Sequence, residues 1–79
     1  DGITASGTIA TPGRTVAVDT TNIPYGTTVE IDGFGTYVAE DCGGAIKGNR
    51  IDIFFADHEQ AMNFGVKRAR VRIVKGDND

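Results

Sequence analysis

The sequence predicts a small, mainly β fold with one short helix, in which the sheet closes into a barrel. Short runs rich in valine, isoleucine and threonine recur about every 8 to 12 residues and are separated by glycine and proline. Only one segment has the apolar spacing and the end signals of a helix. A chain of 79 residues cannot easily cover the edges of an open sheet, so closure of the sheet is favoured.

Five strands are predicted, at residues 15–19, 28–31, 36–41, 50–55 and 67–74. The NIPYG turn follows the first strand, because proline presets φ and glycine accepts a positive φ. The DGFG stretch predicts a hairpin between the second and third strands. The fourth strand ends in two phenylalanines and is therefore expected to enter a buried layer.

The predicted helix follows the fourth strand. Asp57 is its expected N-cap, Gln60 stands at the capping-box distance, and Gly65 is placed to end the helix. His58 is expected to be an exposed helix residue. Three apolar residues are spaced to cover one helix face: Ala61, Met62 and Phe64.

The composition indicates one folded domain, with 39% hydrophobic and 24% charged residues. We expect this domain to occupy residues 1–75 and residues 76–79 to form a disordered tail. The formal net charge is -3, but basic residues concentrate after residue 66. There Arg68, Arg70 and Arg72 alternate with Ala69, Val71 and Ile73, which predicts one solvated basic face and one buried apolar face.

Several partner classes are not expected. No apolar run approaches the roughly 20 residues of a membrane span, so membrane insertion is not predicted. The GGAIKGN loop lacks the residue order of a phosphate-binding loop, so a nucleotide is not expected. The basic strand could meet an anionic partner but is more typical of a solvated face, and nucleic acid is not expected. His58 and Cys42 each stand alone, so we predict no metal site and no cofactor.

Acids that end or interrupt strands are the candidate functional residues. Asp19 and Asp41 close strands and could equally be turn formers. Asp52 lies inside an apolar strand, where a carboxylate is costly unless it is paired, and Arg50 is a candidate partner on the same face. If Asp41 and Asp52 converge, burial and like-charge repulsion would keep one carboxyl group protonated, as the general acid of glycosidic cleavage must be.

The stretches VAVDTTNIPYGTTVEIDGFGTYVAEDCGGAIKGNRIDIFF and HEQAMNFG resemble the 3D domain of bacterial stationary-phase-survival and related cell-wall proteins, a domain named for three aspartates. The resemblance runs from about Gly2 to Val74. It implies a six-stranded double-psi β-barrel related to the catalytic barrel of one class of lytic transglycosylases. By motif position, the three aspartates are Asp19, Asp41 and Asp52.

The resemblance also implies an activity on peptidoglycan glycan strands. Asp52 would be the general acid and base that cleaves the bond between N-acetylmuramic acid and N-acetylglucosamine, with Asp41 as its partner and 1,6-anhydro-N-acetylmuramic acid as product. The expected substrate-binding residues are Gly43, Gly44, Lys47, Asn49 and Tyr25. The alternative is a noncatalytic glycan-binding module, as in expansin-like proteins that use the same barrel.

Two departures from the family lead to further expectations. The family's barrel usually has a strand before the GITASG segment, and this chain begins after it, so we expect the exposed edge to be covered, for example in a domain-swapped homodimer. Cys42 stands where threonine is frequent. We expect an extracellular or cell-wall-associated bacterial location, with a targeting segment that this chain does not contain.

Overall fold

The computed structural model describes residues 2–75, which form five strands and one helix. The mainly β, barrel-like fold with one short helix is therefore confirmed. The elements are β1 (Thr15–Ala17), β2 (Thr28–Ile31), β3 (Gly35–Asp41), β4 (Asp52–Ile53), α1 (His58–Phe64) and β5 (Val71–Lys75). No helix within these residues is long and apolar enough to cross a membrane. The tail predicted at 76–79 lies outside the described residues.

The strands form one mixed sheet in the order β4-β1-β3-β2-β5. The predicted hairpin joins β2 to β3 in antiparallel pairing, and the Phe34 N–H donates to the Ile31 carbonyl at 2.8 Å to close the turn. Gly33 has a φ of 85°, a conformation that residues with a side chain rarely adopt. β1 pairs in parallel with β3 on one side and antiparallel with β4 on the other.

A β-bulge interrupts the pairing of β1 with β3. Val16 pairs with Ala39, but the next residue, Ala17, pairs with Asp41, so Glu40 has no opposite residue. The Glu40 side chain turns into the protein instead, where its Oε1 accepts from the Thr15 hydroxyl at 2.6 Å. The bulge thus buries one acid and directs the next, Asp41, to the other face.

The hydrophobic core lies on one side of the three central strands. Its buried members are Val16, Val18, Val29, Ile31 and Ala39. Half-buried residues surround them: Ile23, Phe34, Tyr37, Ile51 and Ile53. This core is formed almost wholly by the N-terminal two thirds of the chain.

The C-terminal strand does not bury the face that the sequence predicted. Ala69 is exposed, and Val71 and Ile73 are 41% and 55% exposed. The prediction was wrong because β5 is the end strand on one side of the sheet and β4 is the end strand on the other. Within residues 2–75 no strand lies between them to cover this face. Strand β4 is also shorter than predicted for the same reason, since only β1 pairs with it.

The predicted helix is confirmed together with both of its end signals. The Asp57 carboxylate accepts from the Gln60 N–H at 2.8 Å, and Gly65 ends the helix with a φ of 68°. The Phe64 ring packs against Phe34 and Phe55, with ring centroids 5.3 and 5.2 Å apart. The helix therefore rests on the sheet through one aromatic residue, and the other predicted face residues, Ala61 and Met62, are exposed.

Candidate functional site

Asp41 and Asp52 lie in one row across the sheet. Ala17 in β1 pairs with Asp41 in β3 on one side and with Asp52 in β4 on the other. Cross-strand partners project on the same face, and neighbouring strands are about 4.8 Å apart, so the Cα atoms of the two aspartates are roughly 10 Å apart. The two aspartates are therefore related through a shared partner in β1.

The Asp41 carboxylate is engaged by backbone amides. Its Oδ1 accepts from Cys42 N–H and from Ala5 N–H, both at 2.9 Å. Ser6 N–H donates to the Glu40 carbonyl at 3.1 Å, which ties the same N-terminal segment to β3. Asp41 therefore holds the segment around Ala5 beside the site.

The Asp19 carboxylate is engaged still more fully. Its Oδ2 accepts from Gly48 N–H at 2.8 Å, and its Oδ1 accepts from the Thr21 N–H and hydroxyl at 3.1 and 2.8 Å. These bonds, with the Gly48 N–H the largest contribution, lower the pKa of Asp19 below its ordinary value. An acid held in its ionised form is a poor proton donor, so Asp19 is suited to holding structure.

Asp52 differs from the other two aspartates. Its side chain is exposed, and among residues 2–75 it has neither a hydrogen bond nor an ion pair. The predicted pairing with Arg50 and the predicted burial are both wrong, because β4 is an end strand whose polar side chains reach solvent. The Asp52 carboxyl group is thus free to contact a ligand.

A groove of about 800 Å³ lies beside Asp52, between the two end strands of the sheet. Its apolar lining includes Ile31, Phe34, Phe55 and Phe64. Its polar lining includes Asn49, Arg50, Asp52, Lys67 and Arg68. Lys67 Nζ lies 5.0 Å from the centroid of the Phe64 ring, a cation–π distance. A long ligand with polar and apolar faces fits such a lining.

A smaller pocket of about 240 Å³ lies next to the glycine-rich segment. It gathers Asp19, Cys42, and three of the predicted substrate-binding residues, Gly43, Gly44 and Lys47. Asn49 instead lines the larger groove. The predicted binding residues are therefore divided between two neighbouring cavities.

Tyr25 lines neither of these two cavities and is half-buried. A side-chain hydrogen bond with Cys42 and then desolvation raise the pKa of the Tyr25 hydroxyl. Tyr25 therefore lies near Cys42, the residue that follows Asp41. Within the described part of the chain, no three acidic, histidine or cysteine side chains cluster to hold a metal ion.

Two polar residues that the sequence did not single out belong to the framework of the site. Glu40 anchors the bulge before Asp41 and forms an ion pair with Arg14. The signal in the sequence for this pair is the position of Arg14, directly before β1. Asn22 donates from Nδ2 to the Gly48 carbonyl at 2.7 Å. Asn22 was interpreted only as a turn residue, because its contact lies 26 positions away in the sequence.

Comparison with known proteins agrees with the resemblance seen in the sequence. The family model described as the 3D domain matches residues 14–75. The cell wall-binding protein YocH of Bacillus subtilis (strain 168) is 44% identical over 61 residues, which are 77% of this chain and 21% of that protein. The putative cell wall shaping protein YabE of the same organism is 41% identical over 61 residues, 77% of this chain and 15% of that protein. The chain thus spans about a fifth or less of these relatives' lengths. Since the family model covers most of the sequence, the chain belongs to the 3D domain family.

Proposed function

We propose that this domain acts on the peptidoglycan of a bacterial cell wall, at an extracellular or wall-associated location. Two relatives that share 61 aligned residues with it are named for cell-wall binding and cell-wall shaping. The aligned length is close to that of the 3D domain itself, which spans residues 14–75 here. The shared domain is therefore the part of those proteins from which a wall-related role can be carried to this chain.

The proposed reaction is that of a lytic transglycosylase, with Asp52 as the general acid and base. One observation carries this assignment: Asp52 alone of the three aspartates has a carboxyl group without hydrogen bonds among the described residues, and it lines the groove. Asp19 and Asp41 hold backbone amides. A glycan in the groove would therefore meet an Asp52 carboxyl group that no other described residue occupies.

The reaction needs neither a water molecule nor a nucleophilic side chain of the protein. The Asp52 carboxyl group gives its proton to the glycosidic oxygen, and the bond from that oxygen to C1 of N-acetylmuramic acid breaks. The C6 hydroxyl oxygen of the same sugar then bonds to C1, and its proton passes to the Asp52 carboxylate. One acid is thus protonated again at the end, and the products are 1,6-anhydro-N-acetylmuramic acid and a free N-acetylglucosamine hydroxyl.

The remaining predicted site residues are proposed to bind the glycan or to place the acid. Asn49 lies in the groove with Asp52, whereas Gly43, Gly44 and Lys47 lie in the smaller pocket, where the next part of the strand would be bound. Asp41, which lies in the same cross-strand row as Asp52, would hold the N-terminal segment beside the site. Tyr25 would act indirectly, through Cys42.

A noncatalytic glycan-binding module is the second candidate. The exposure of Asp52 favours it, because an exposed carboxyl group does not meet the expectation of a buried acid. The name of the cell wall-binding relative points the same way. In this case the groove would bind glycan strands, and replacement of Asp52 would leave the strands intact.

The outer edges of β4 and β5, which no strand within residues 2–75 pairs with, also support a proposal about assembly. Exchange of segments with a second copy of the chain would cover both edges. Light scattering coupled to size exclusion measures this directly. A strictly monomeric, folded protein at all accessible concentrations would remove the proposed domain-swapped homodimer.

Digestion of purified peptidoglycan separates the two candidate functions. The protein is incubated with insoluble sacculi, and the supernatant and the pellet are both analysed. Muropeptides that carry the 1,6-anhydro ring, identified by mass spectrometry, support the transglycosylase. Protein bound to the pellet without any released fragment supports the binding module, and failure to bind or cleave would contradict both.

A further inference from the structure

Residues 43–50 lie within the connector between β3 and β4, and among residues 2–75 this stretch makes hydrogen bonds to the rest of the protein at a single residue, Gly48. Within the connector, Ile46 N–H donates to the Gly43 carbonyl and Arg50 N–H to the Lys47 carbonyl, at 3.0 and 3.2 Å. Its hydrogen bonds to other described residues are both made by the backbone of Gly48. The path of the connector therefore depends on what holds Gly48.

Two side chains of one turn hold both polar groups of Gly48. The Asp19 carboxylate accepts from its N–H at 2.8 Å, and the Asn22 amide donates to its carbonyl at 2.7 Å. The turn is itself closed, because Asn22 N–H and Ile23 N–H both donate to the Asp19 carbonyl, at 2.9 and 3.0 Å. We name these two contacts on Gly48 the Gly48 clamp.

The backbone of Gly48 has the conformation that the clamp needs. Its φ is 63°, in the left-handed region, and a Cβ atom added there would have no neighbour within 4 Å. Space around the residue is therefore open, and conformation is what favours glycine at this position. A side chain here would turn the N–H and the carbonyl away from Asp19 and Asn22.

The Gly48 clamp acts close to the candidate acid. Asn49 and Arg50, the two residues after Gly48, line the groove with Asp52. Asp52 is also fixed from the other side, since it pairs with Ala17, two residues before Asp19. Strand β1 thus determines which residue Asp52 pairs with, and the turn after β1 determines where the chain lies just before β4.

We propose that Asn22 is a positioning residue: with Asp19 it fixes Gly48 and so places Asn49, Arg50 and Asp52 along the groove. Asp19 then serves the site as an anion that binds an amide, and Asn22 supplies the complementary donor. The role in placement stands on the contacts alone. Only its effect on catalysis rests on the proposed function.

The test compares Asn22→Ala and Asn22→Asp with Asn63→Ala as the control. Asn22→Asp has nearly the same shape but presents an oxygen to the Gly48 carbonyl, whereas Asn63 is an exposed helix residue outside both cavities. Amide exchange and chemical shifts are measured by NMR in the whole chain. Both Asn22 variants should speed exchange at Gly48 by about tenfold or more and shift the Asp52 resonances, while Val16 and Ala39 in the core stay protected.

Activity on peptidoglycan is measured on the same proteins. Displacement of the acid should lower kcat by about tenfold to a hundredfold and leave KM within a few fold, and Asn63→Ala should match the parent. Unchanged Gly48 exchange and Asp52 shifts in both Asn22 variants would overturn the proposal. If the parent protein cleaves nothing while these signals change as expected, the transglycosylase assignment fails and the positioning role stands.

Discussion

Glu40 is the most buried acid of the site and offers a stability test with an internal control. Its side chain is 8% exposed, and its Oε1 accepts from the Thr15 hydroxyl at 2.6 Å and from Arg14 Nε at 3.1 Å. Glu30 forms the other ion pair of the described residues, with Arg72, but its side chain is 45% exposed. Replacement of each glutamate by glutamine removes the same charge from two different environments.

The expected losses follow from those environments. Hydrogen bonds to a charged group contribute about 1.5–3 kcal/mol and neutral ones about 0.5–1.5 kcal/mol, so Glu40→Gln should cost about 1–2 kcal/mol. Exposed ion pairs contribute about 0–1 kcal/mol, so Glu30→Gln should cost about 0.5 kcal/mol or less. At about 4–8 °C per kcal/mol for a domain of this size, the melting temperature should fall by roughly 4–16 °C for Glu40→Gln and by under about 4 °C for Glu30→Gln.

Thermal unfolding followed by circular dichroism measures both variants beside the parent protein. The measurement is repeated at high salt, where the small effect of Glu30→Gln should vanish and the larger effect of Glu40→Gln should persist, because buried pairs are screened less. Equal losses in the two variants would refute the assignment of Glu40 as the buried anchor of the bulge. So would a Glu40→Gln loss that disappears at high salt.

Three further predictions concern the core, the clamp and the helix. Val16→Ala should lower the free energy of unfolding by about 2–3 kcal/mol in urea titrations, because Val16 has no exposed surface. Val66→Ala, at a residue that is 91% exposed, should change it by less than about 0.5 kcal/mol. Equal effects would contradict the position of the core. The pKa of Asp19 is lowered in the folded protein, first by the Gly48 N–H, so the stabilisation that ionised Asp19 provides is present above about pH 4 and is lost as the pH falls further. Protection of the Gly48 amide from exchange should follow the same pH dependence. Asp19→Asn should remove that dependence, and an unaltered profile would contradict this role of Asp19. Asp57→Ala should cost about 0.5–2 kcal/mol through loss of the helix N-cap, measured by the same titration, and no change would mean that α1 does not need this cap.

The features that the sequence predicted correctly are those fixed by neighbouring residues. The N-cap bond from Gln60 to Asp57 and the helix end at Gly65 follow from side chains within one turn of the helix. The hairpin between β2 and β3 follows from its glycine-containing turn in the same way. Local chemistry determined these elements, so reasoning from local patterns was sufficient.

The features that the sequence missed depend on residues distant in the chain. The bulge at Glu40 lies in the parallel pairing of β1 with β3, two strands that are separated in the sequence by β2. Burial of Ile73 was predicted from alternation, but alternation cannot show that a strand is the last of its sheet. For Asp52, the structure shows that it shares the partner Ala17 with Asp41, whereas the expected burial and pairing with Arg50 were wrong.

The three aspartates are therefore not equivalent. Asp19 and Asp41 bind backbone amides, whereas the exposed Asp52 carboxyl group has no hydrogen bond within residues 2–75. The most direct test is the rate of anhydromuropeptide release by the parent protein, Asp52→Asn and Asp41→Asn, each first shown to be folded. We expect release by the parent, no detectable release by Asp52→Asn, and a reduced but measurable rate for Asp41→Asn. Release by Asp52→Asn at the parent rate, or none by the folded parent, would contradict this expectation.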